Sequence, residues 1–153
     1  MVLSIKSYKT PLRYPGGKSR ACKKMEPFFP DLRYYDAYYE PFLGGGSVAL
    51  HITKKYPKLK IIVNDLYEPL YNFWLRLQVD GDYVHSQLQQ LKSRFPDRGS
   101  ARGLFEDAKE KLYDLDVSDK DRAVCFYIIN KCSFLSLIHI SEPTRRRGIS
   151  YAV

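Results

Sequence analysis

The chain has 153 residues and a formal net charge of +8, and its hydrophobic share of 44% and charged share of 27% are those of a globular protein with one domain. No apolar run is long enough to cross a bilayer. The three cysteines form no CxxC pair, which argues against a disulfide framework or a zinc site. We therefore expect free thiols, no metal and a reducing, cytoplasmic setting. The positive charge favours a polyanionic partner, with nucleic acid first.

The first recognisable feature is a glycine turn that carries a basic side chain. Pro15-Gly16-Gly17-Lys18 leads into a predicted helix over about residues 18–28, ended by two prolines. The letters Gly-Gly-Lys-Ser suggest a phosphate-binding loop, but that motif needs a further glycine where Leu12 stands, and no strand precedes it. Lys18 therefore remains either a ligand contact at a turn that permits close approach or a solvated surface charge.

The central stretch of the chain is a predicted strand, a glycine turn and a helix. The strand begins at Asp36, and Gly44-Gly45-Gly46 follows it, which permits positive φ and close approach of another molecule. Ser47 is expected to cap a helix over about Val48–Tyr56. This arrangement is the usual crevice for a nucleotide-like ligand in an open α/β sheet, although an ordinary glycine-rich loop fits these residues equally well.

A second strand is predicted from Lys60 to Asp65. Its apolar, β-branched residues fit a strand buried on both faces of a parallel sheet. Asp65 lies 19 residues beyond Gly46, where a nucleotide-binding α/β fold places the acid that accepts hydrogen bonds from ribose hydroxyls. The alternative for an aspartate at a strand end is a helix cap.

The remainder of the chain is predicted to be helical. Apolar residues recur at helical spacing from Glu68, again around residues 84–91 and over about 102–113. A largely buried helix is expected over about 119–130, with Ser118 or Asp119 as its cap. No third strand is evident, so the sheet of this α/β domain is expected to be incomplete.

Four segments together resemble a known family, the D12 class, or Dam-type, of DNA adenine-N6 methyltransferases. They are similar in order and spacing to the motifs of that family over residues 11–134, and they read RYPGGK at Arg13–Lys18, EPFLGGGSV at Glu40–Val48, VNDL at Val63–Leu66 and FYIINKCSF at Phe126–Phe134. Each motif is weak alone, whereas four at family spacing are specific.

The resemblance implies a Rossmann-like fold that binds S-adenosylmethionine. Tyr14 and Lys18 would help to hold this cofactor, Phe42 and Gly44 would line its pocket, and Asp65 would bind the ribose hydroxyls. Physical chemistry agrees with this assignment, since a sulfonium cofactor carries no phosphate. Such a site needs close backbone approach and a ribose-binding acid but no basic cluster.

The resemblance also implies double-stranded DNA as the partner of a monomeric enzyme from a bacterium or phage. Lys131 falls where the family has a basic residue on DNA phosphate, and Phe134 where an aromatic wedges beside the flipped adenine. The cofactor-binding half would then span residues 11–80, and the start of a helical target-recognition region would span residues 81–134.

The chain departs from the family after Phe134. The family continues with Asn-Gly and, later, a catalytic Asp-Pro-Pro-Tyr or Asn-Pro-Pro-Tyr motif, neither of which occurs here, so no catalytic residue is assigned. Residues 135–153 instead resemble the in-frame translation of a sequencing-library adapter. We therefore expect residues 1–134 to be a truncated, inactive methyltransferase domain; they carry 22 basic and 16 acidic side chains, a net charge of +6.

Two other functional classes stay open at this point. The chain could be a non-catalytic module that binds DNA or a nucleotide. It could also be a nucleoside-triphosphate enzyme that uses Gly16-Gly17-Lys18-Ser19. A genomic read that continues to a stop codon right after Val153, without adapter, would favour the module. Binding of ATP that Lys18→Ala abolishes, without binding of S-adenosylmethionine, would favour the nucleoside-triphosphate enzyme.

Overall fold

The computed structural model describes residues 9–95 and 98–132 of the chain. Within them, strands β1 (Ala37–Glu40) and β2 (Lys60–Val63) pair in parallel, with Ala37 opposite Lys60 and Glu40 opposite Val63. Both predicted strands are thus confirmed as a small parallel sheet. Phe134 and the segment 135–153 lie outside the described residues.

The N-terminal helix is shorter than predicted. Helix α1 spans only Cys22–Met25 and continues as a 3-10 turn over Glu26–Phe28. Pro27 lies in that turn, where its missing N–H and its ring prevent a regular α-helix from continuing. The residues after Lys18 form a turn, closed by a hydrogen bond of 2.9 Å from the Cys22 N–H to the Lys18 carbonyl.

Helix α2 (Ser47–Lys55) connects the two strands, and its start differs from the prediction. Gly46, with φ +66°, is the capping residue, and the Ser47 side chain makes no capping hydrogen bond. The Ser47 hydroxyl pairs instead with the Ser19 hydroxyl at 2.8 Å. The predicted cap was therefore wrong, because the left-handed backbone at Gly46 already starts the helix and Ser47 lies one position inside it.

Strand β2 is not buried on both faces, contrary to the prediction. Lys60 and Val63 are exposed, and Ile61 and Ile62 are only half-buried. Among the described residues the sheet has two strands, so β2 lies at an edge. Ile61 packs with Ile52 of α2 in a small hydrophobic cluster, which covers one face of the strand.

Four longer helices form a second layer, in agreement with the predicted helical segments. They are α3 (Glu68–Val79), α4 (Gly81–Arg94), α5 (Arg98–Lys111) and α6 (Asp119–Cys132). Ser118 caps α6, since its hydroxyl accepts a hydrogen bond from the Asp121 N–H at 3.3 Å. No helix in residues 9–95 and 98–132 combines the length and apolar character that crossing a membrane requires.

The larger hydrophobic core lies between α3 and α6. Phe73 of α3 is fully buried, and its ring stacks on Tyr127 at 5.9 Å and tilts against Phe126 at 5.5 Å. Truncating a phenylalanine in such a position costs about 3–5 kcal/mol. Leu12, from the N-terminal segment, is buried in the same core. The helical layer therefore also anchors the segment of chain that leads to the glycine turn at residues 16–17.

Candidate functional site

The glycine loop at residues 41–46 continues the pairing of the two strands. The Asn64 N–H donates to the Glu40 carbonyl and the Leu43 N–H donates to the Asn64 carbonyl, each at 2.9 Å. Gly44 and Gly46 then adopt positive φ values of 51° and 66°, which side chains rarely tolerate. The loop therefore lies at the carboxyl ends of both parallel strands, where open α/β sheets bind their ligands.

Two aromatic side chains pack directly on this loop. A Cβ added to Gly44 would lie 3.0 Å from Tyr14 Cε1, and one added to Gly46 would lie 2.6 Å from Trp74 Cζ2. The Trp74 indole N–H also donates to the Gly44 carbonyl at 3.2 Å. Glycine is thus required here both by the backbone conformation and by the two rings.

Four of the five predicted cofactor residues surround one cavity of about 120 Å³. Tyr14, Lys18, Phe42 and Gly44 all line it, together with the first turn of α2. The Lys18 ammonium donates to the Gly16 carbonyl at 3.4 Å, and the Phe42 side chain is 84% exposed. A larger open groove of about 800 Å³, at the beginning of β2, contains none of the predicted residues.

Asp65, the fifth predicted cofactor residue, contacts the loop backbone and does not line this cavity. Its carboxylate accepts hydrogen bonds from the Gly44 N–H at 2.8 Å and from the Tyr67 N–H at 3.1 Å. A carboxylate that accepts hydrogen bonds from two backbone N–H groups holds the two chain segments that carry them, here the glycine loop and the start of α3, in place. The structure thus assigns Asp65 a bracing role for the loop, and its ribose contact stays a prediction.

Glu40 is a cavity residue that the assignment of site residues missed. It is the last residue of β1, it lines the cavity, and burial raises the pKa of its carboxyl. Hydrogen bonds from Tyr38 and from the Ala49 N–H, together with the charge of Lys18, favour its ionised form in part. Its signal in the sequence was the acid that opens the Glu-Pro-Phe motif.

The predicted DNA contact Lys131 lies in the last turn of α6. Its ammonium lies 5.1 Å from the centre of the Tyr127 ring, and burial together with the charge of Arg13 lowers the pKa of Lys131. The Arg13 guanidinium donates to the Lys131 carbonyl at 3.4 Å. Because Arg13 directly precedes Tyr14, the residues predicted for DNA and for cofactor are neighbours in space.

Comparisons with known proteins agree with the resemblance found in the sequence. A family model described as D12 class N6 adenine-specific DNA methyltransferase matches residues 14–144. The Type II methyltransferase M.MjaIII of Methanocaldococcus jannaschii is 26% identical over 144 residues. This alignment covers 86% of the chain but only 48% of the relative, so the chain spans about half the length of the curated relative it matches. Since the family model matches residues 14–144, which is most of the chain, the chain belongs to the D12 class of N6 adenine-specific DNA methyltransferases.

Proposed function

We propose that the chain is the cofactor-binding part of an enzyme that transfers a methyl group from S-adenosylmethionine to adenine N6 at a specific site in double-stranded DNA, on a Rossmann-like fold. The observation that carries this proposal is the convergence of Tyr14, Lys18, Phe42 and Gly44 on one cavity at the carboxyl ends of two parallel strands, in a chain of this family. The non-catalytic binding module remains the second candidate.

The residues of the cavity fit a cationic ligand without phosphate. When bound, S-adenosylmethionine supplies an activated methyl group on a sulfonium, next to an amino-acid end with both charges. The Glu40 carboxylate would attract the positive groups of this ligand, and the Lys18 ammonium would attract its carboxylate. The positive φ of Gly44 and Gly46 shapes the loop that lines the cavity.

The cavity itself is too small for a whole nucleoside derivative, so part of the ligand would extend over its rim. The exposed Phe42 ring offers an apolar face on which an adenine could stack. Asp65 would reach the ribose hydroxyls from the end of β2 while it keeps the Gly44 N–H. A carboxylate has enough acceptor sites for both tasks.

The DNA-facing assignments belong to the same proposal. Lys131 would contact a phosphate, with the charge of Arg13 beside it, and Phe134 would wedge beside the flipped adenine. The 153-residue chain holds no Asp-Pro-Pro-Tyr or Asn-Pro-Pro-Tyr motif to accept the adenine amino group. We therefore expect this chain, as a monomer, to bind cofactor without transferring the methyl group.

Calorimetry of the full chain with S-adenosylmethionine tests the proposal. Lys18→Ala should weaken binding about 10- to 150-fold, because a charge-assisted hydrogen bond contributes about 1.5–3 kcal/mol. Lys23→Ala is the matched control, since Lys23 is exposed on α1 and does not line the cavity. Equal affinities of the two variants would contradict the assignment of Lys18.

The same titrations separate the other functional classes. Binding of ATP that Lys18→Ala abolishes, without any binding of S-adenosylmethionine, would indicate a nucleoside-triphosphate enzyme. Binding of duplex DNA with no affinity for either small molecule would indicate the non-catalytic module.

A further inference from the structure

A side chain near the end of α6 pairs with the main chain of a residue at the other end of the protein. The Asn130 amide Nδ2 donates to the Arg13 carbonyl at 2.7 Å, and the Arg13 N–H donates to Asn130 Oδ1 at 2.9 Å. Since the carboxamide supplies one donor and one acceptor, it pairs with both polar groups of the Arg13 backbone. Reversing the amide would oppose donor to donor, so the two bonds also define its orientation.

Asn130 contacts the segment Leu12–Lys18, which we call the strap. The strap connects the helical core, the end of α6 and the glycine loop. Leu12 is buried in the helical core with an exposure of 5%, and Tyr14 packs on the glycine loop. Burial of Leu12 alone is not directional. The two hydrogen bonds at Arg13 are directional, and they lie between these two contacts along the chain.

We propose that Asn130 is a positioning residue that places the strap, and with it Tyr14 and Lys18, on the cofactor cavity. This inference rests on the proposed function of the cavity. Asn130 precedes Lys131, the proposed phosphate contact, so one turn of α6 holds the strap and faces the DNA. Asn130 itself touches neither cofactor nor DNA in this assignment and acts through the Arg13 backbone.

The test compares Asn130→Ala and the nearly isosteric Asn130→Asp with Asn72→Ala in the full chain. Asn72 is a matched control because its Nδ2 donates to the Asp119 carbonyl at 2.7 Å, which joins α3 to α6 without contacting the strap. Asn130→Asp keeps the acceptor for the Arg13 N–H but loses the donor, so it removes one of the two bonds and preserves the packing.

Two measurements are made on each variant. Amide hydrogen exchange reports on the strap directly, through the Gly17 N–H that donates to the Tyr14 carbonyl at 2.9 Å. Calorimetry reports the affinity for S-adenosylmethionine. We expect Asn130→Asp, which loses one hydrogen bond, to exchange the Gly17 amide about fivefold faster and to bind the cofactor about fivefold more weakly. Asn130→Ala, which loses both bonds, should change both quantities more. Asn72→Ala should lower the midpoint of thermal unfolding and change neither quantity at a temperature where it is folded.

The outcomes separate this inference from the proposed function. Exchange at Gly17 that is equal in Asn130→Ala and Asn72→Ala would overturn the inference, as would faster exchange with unchanged cofactor affinity. If the unmodified chain binds no S-adenosylmethionine, the proposed function fails. Hydrogen exchange then still decides whether Asn130 holds the strap.

Discussion

Replacing Gly46 by alanine is predicted to destabilise the protein through two separate effects. Gly46 has a φ of +66°, and a left-handed residue with a Cβ costs about 1–2 kcal/mol. The new Cβ would also lie 2.6 Å from Trp74 Cζ2 and 2.9 Å from Cη2, both well inside van der Waals contact. Overpacking of this kind costs about 1–3 kcal/mol.

The indole of Trp74 cannot move away without losing other contacts. Its N–H donates to the Gly44 carbonyl at 3.2 Å, and its ring packs edge-on against Phe73 at 5.8 Å. Alanine also restricts the unfolded chain, which offsets about 0.4–1 kcal/mol of the penalty. The net decrease in the free energy of unfolding is about 1–4.5 kcal/mol, or roughly 2–18 °C in the midpoint of thermal unfolding.

Thermal and urea unfolding of the full chain, followed by circular dichroism, measures this decrease. Gly103→Ala is the matched control, because Gly103 lies inside α5 and an added Cβ would meet no atom within 4 Å. That control should stabilise the protein by about 0.5–1 kcal/mol. The same replacement of glycine by alanine should thus change the free energy of unfolding in opposite directions at the two positions.

A double-mutant cycle with Trp74→Leu separates the two effects at Gly46. In that background the steric part disappears, and Gly46→Ala should cost only the backbone part of about 1–2 kcal/mol, less the same offset of about 0.4–1 kcal/mol from the unfolded chain. A Gly46→Ala variant within about 0.5 kcal/mol of the unmodified chain would refute the reasoning. A penalty that is the same with and without the indole would refute the packing of Trp74 on the loop.

Three further predictions concern binding. Asp65→Ala should lower the free energy of unfolding by about 1–3 kcal/mol, because two backbone N–H groups lose their acceptor. By calorimetry, this variant should bind S-adenosylmethionine and an analogue without ribose hydroxyls with equal affinity. A variant that still prefers S-adenosylmethionine would contradict the ribose role of Asp65. Burial raises the pKa of Glu40, and a cationic ligand favours its ionised form. Cofactor affinity should therefore rise with pH up to the raised pKa of Glu40 in the ligand-free protein and level off above it; Glu40→Gln should flatten this profile, and a flat profile in the unmodified chain would contradict the assignment. Lys131→Ala should weaken duplex DNA binding and should lower the slope of the logarithm of the binding constant against the logarithm of the salt concentration by about 1, both measured by fluorescence anisotropy. Lys120→Ala, at the other end of α6, is the control and should change this slope less.

The elements that depend on local patterns were predicted from the sequence. The short strand that runs into three glycines predicted β1, the loop and α2. The apolar run that ends at Asp65 predicted β2. Apolar residues at helical spacing placed α3 to α6, and Ser118 was one of two predicted caps. Such patterns act over a few residues, so they require no knowledge of the chain path.

Predictions that depended on the surroundings of an element were less successful. The burial of β2 on both faces depends on neighbouring strands, and among the described residues β2 has one neighbour. The cap of α2 depended on the backbone angle at Gly46, which Ser47 alone does not reveal. Glu40 lines the cavity because β1 ends beside the first turn of α2, a placement that its sequence neighbours do not show.

By itself, the sequence determined the family, the order of the elements and most residues of the candidate site, because short motifs at characteristic spacing carry that information. Only the tertiary structure decided how these residues are held: Asp65 on the Gly44 amide, Trp74 against Gly46, and Asn130 on the backbone of Arg13. These contacts join residues far apart in the chain. They exist only because the packing of the helical layer brings the strap, the glycine loop and the end of α6 together.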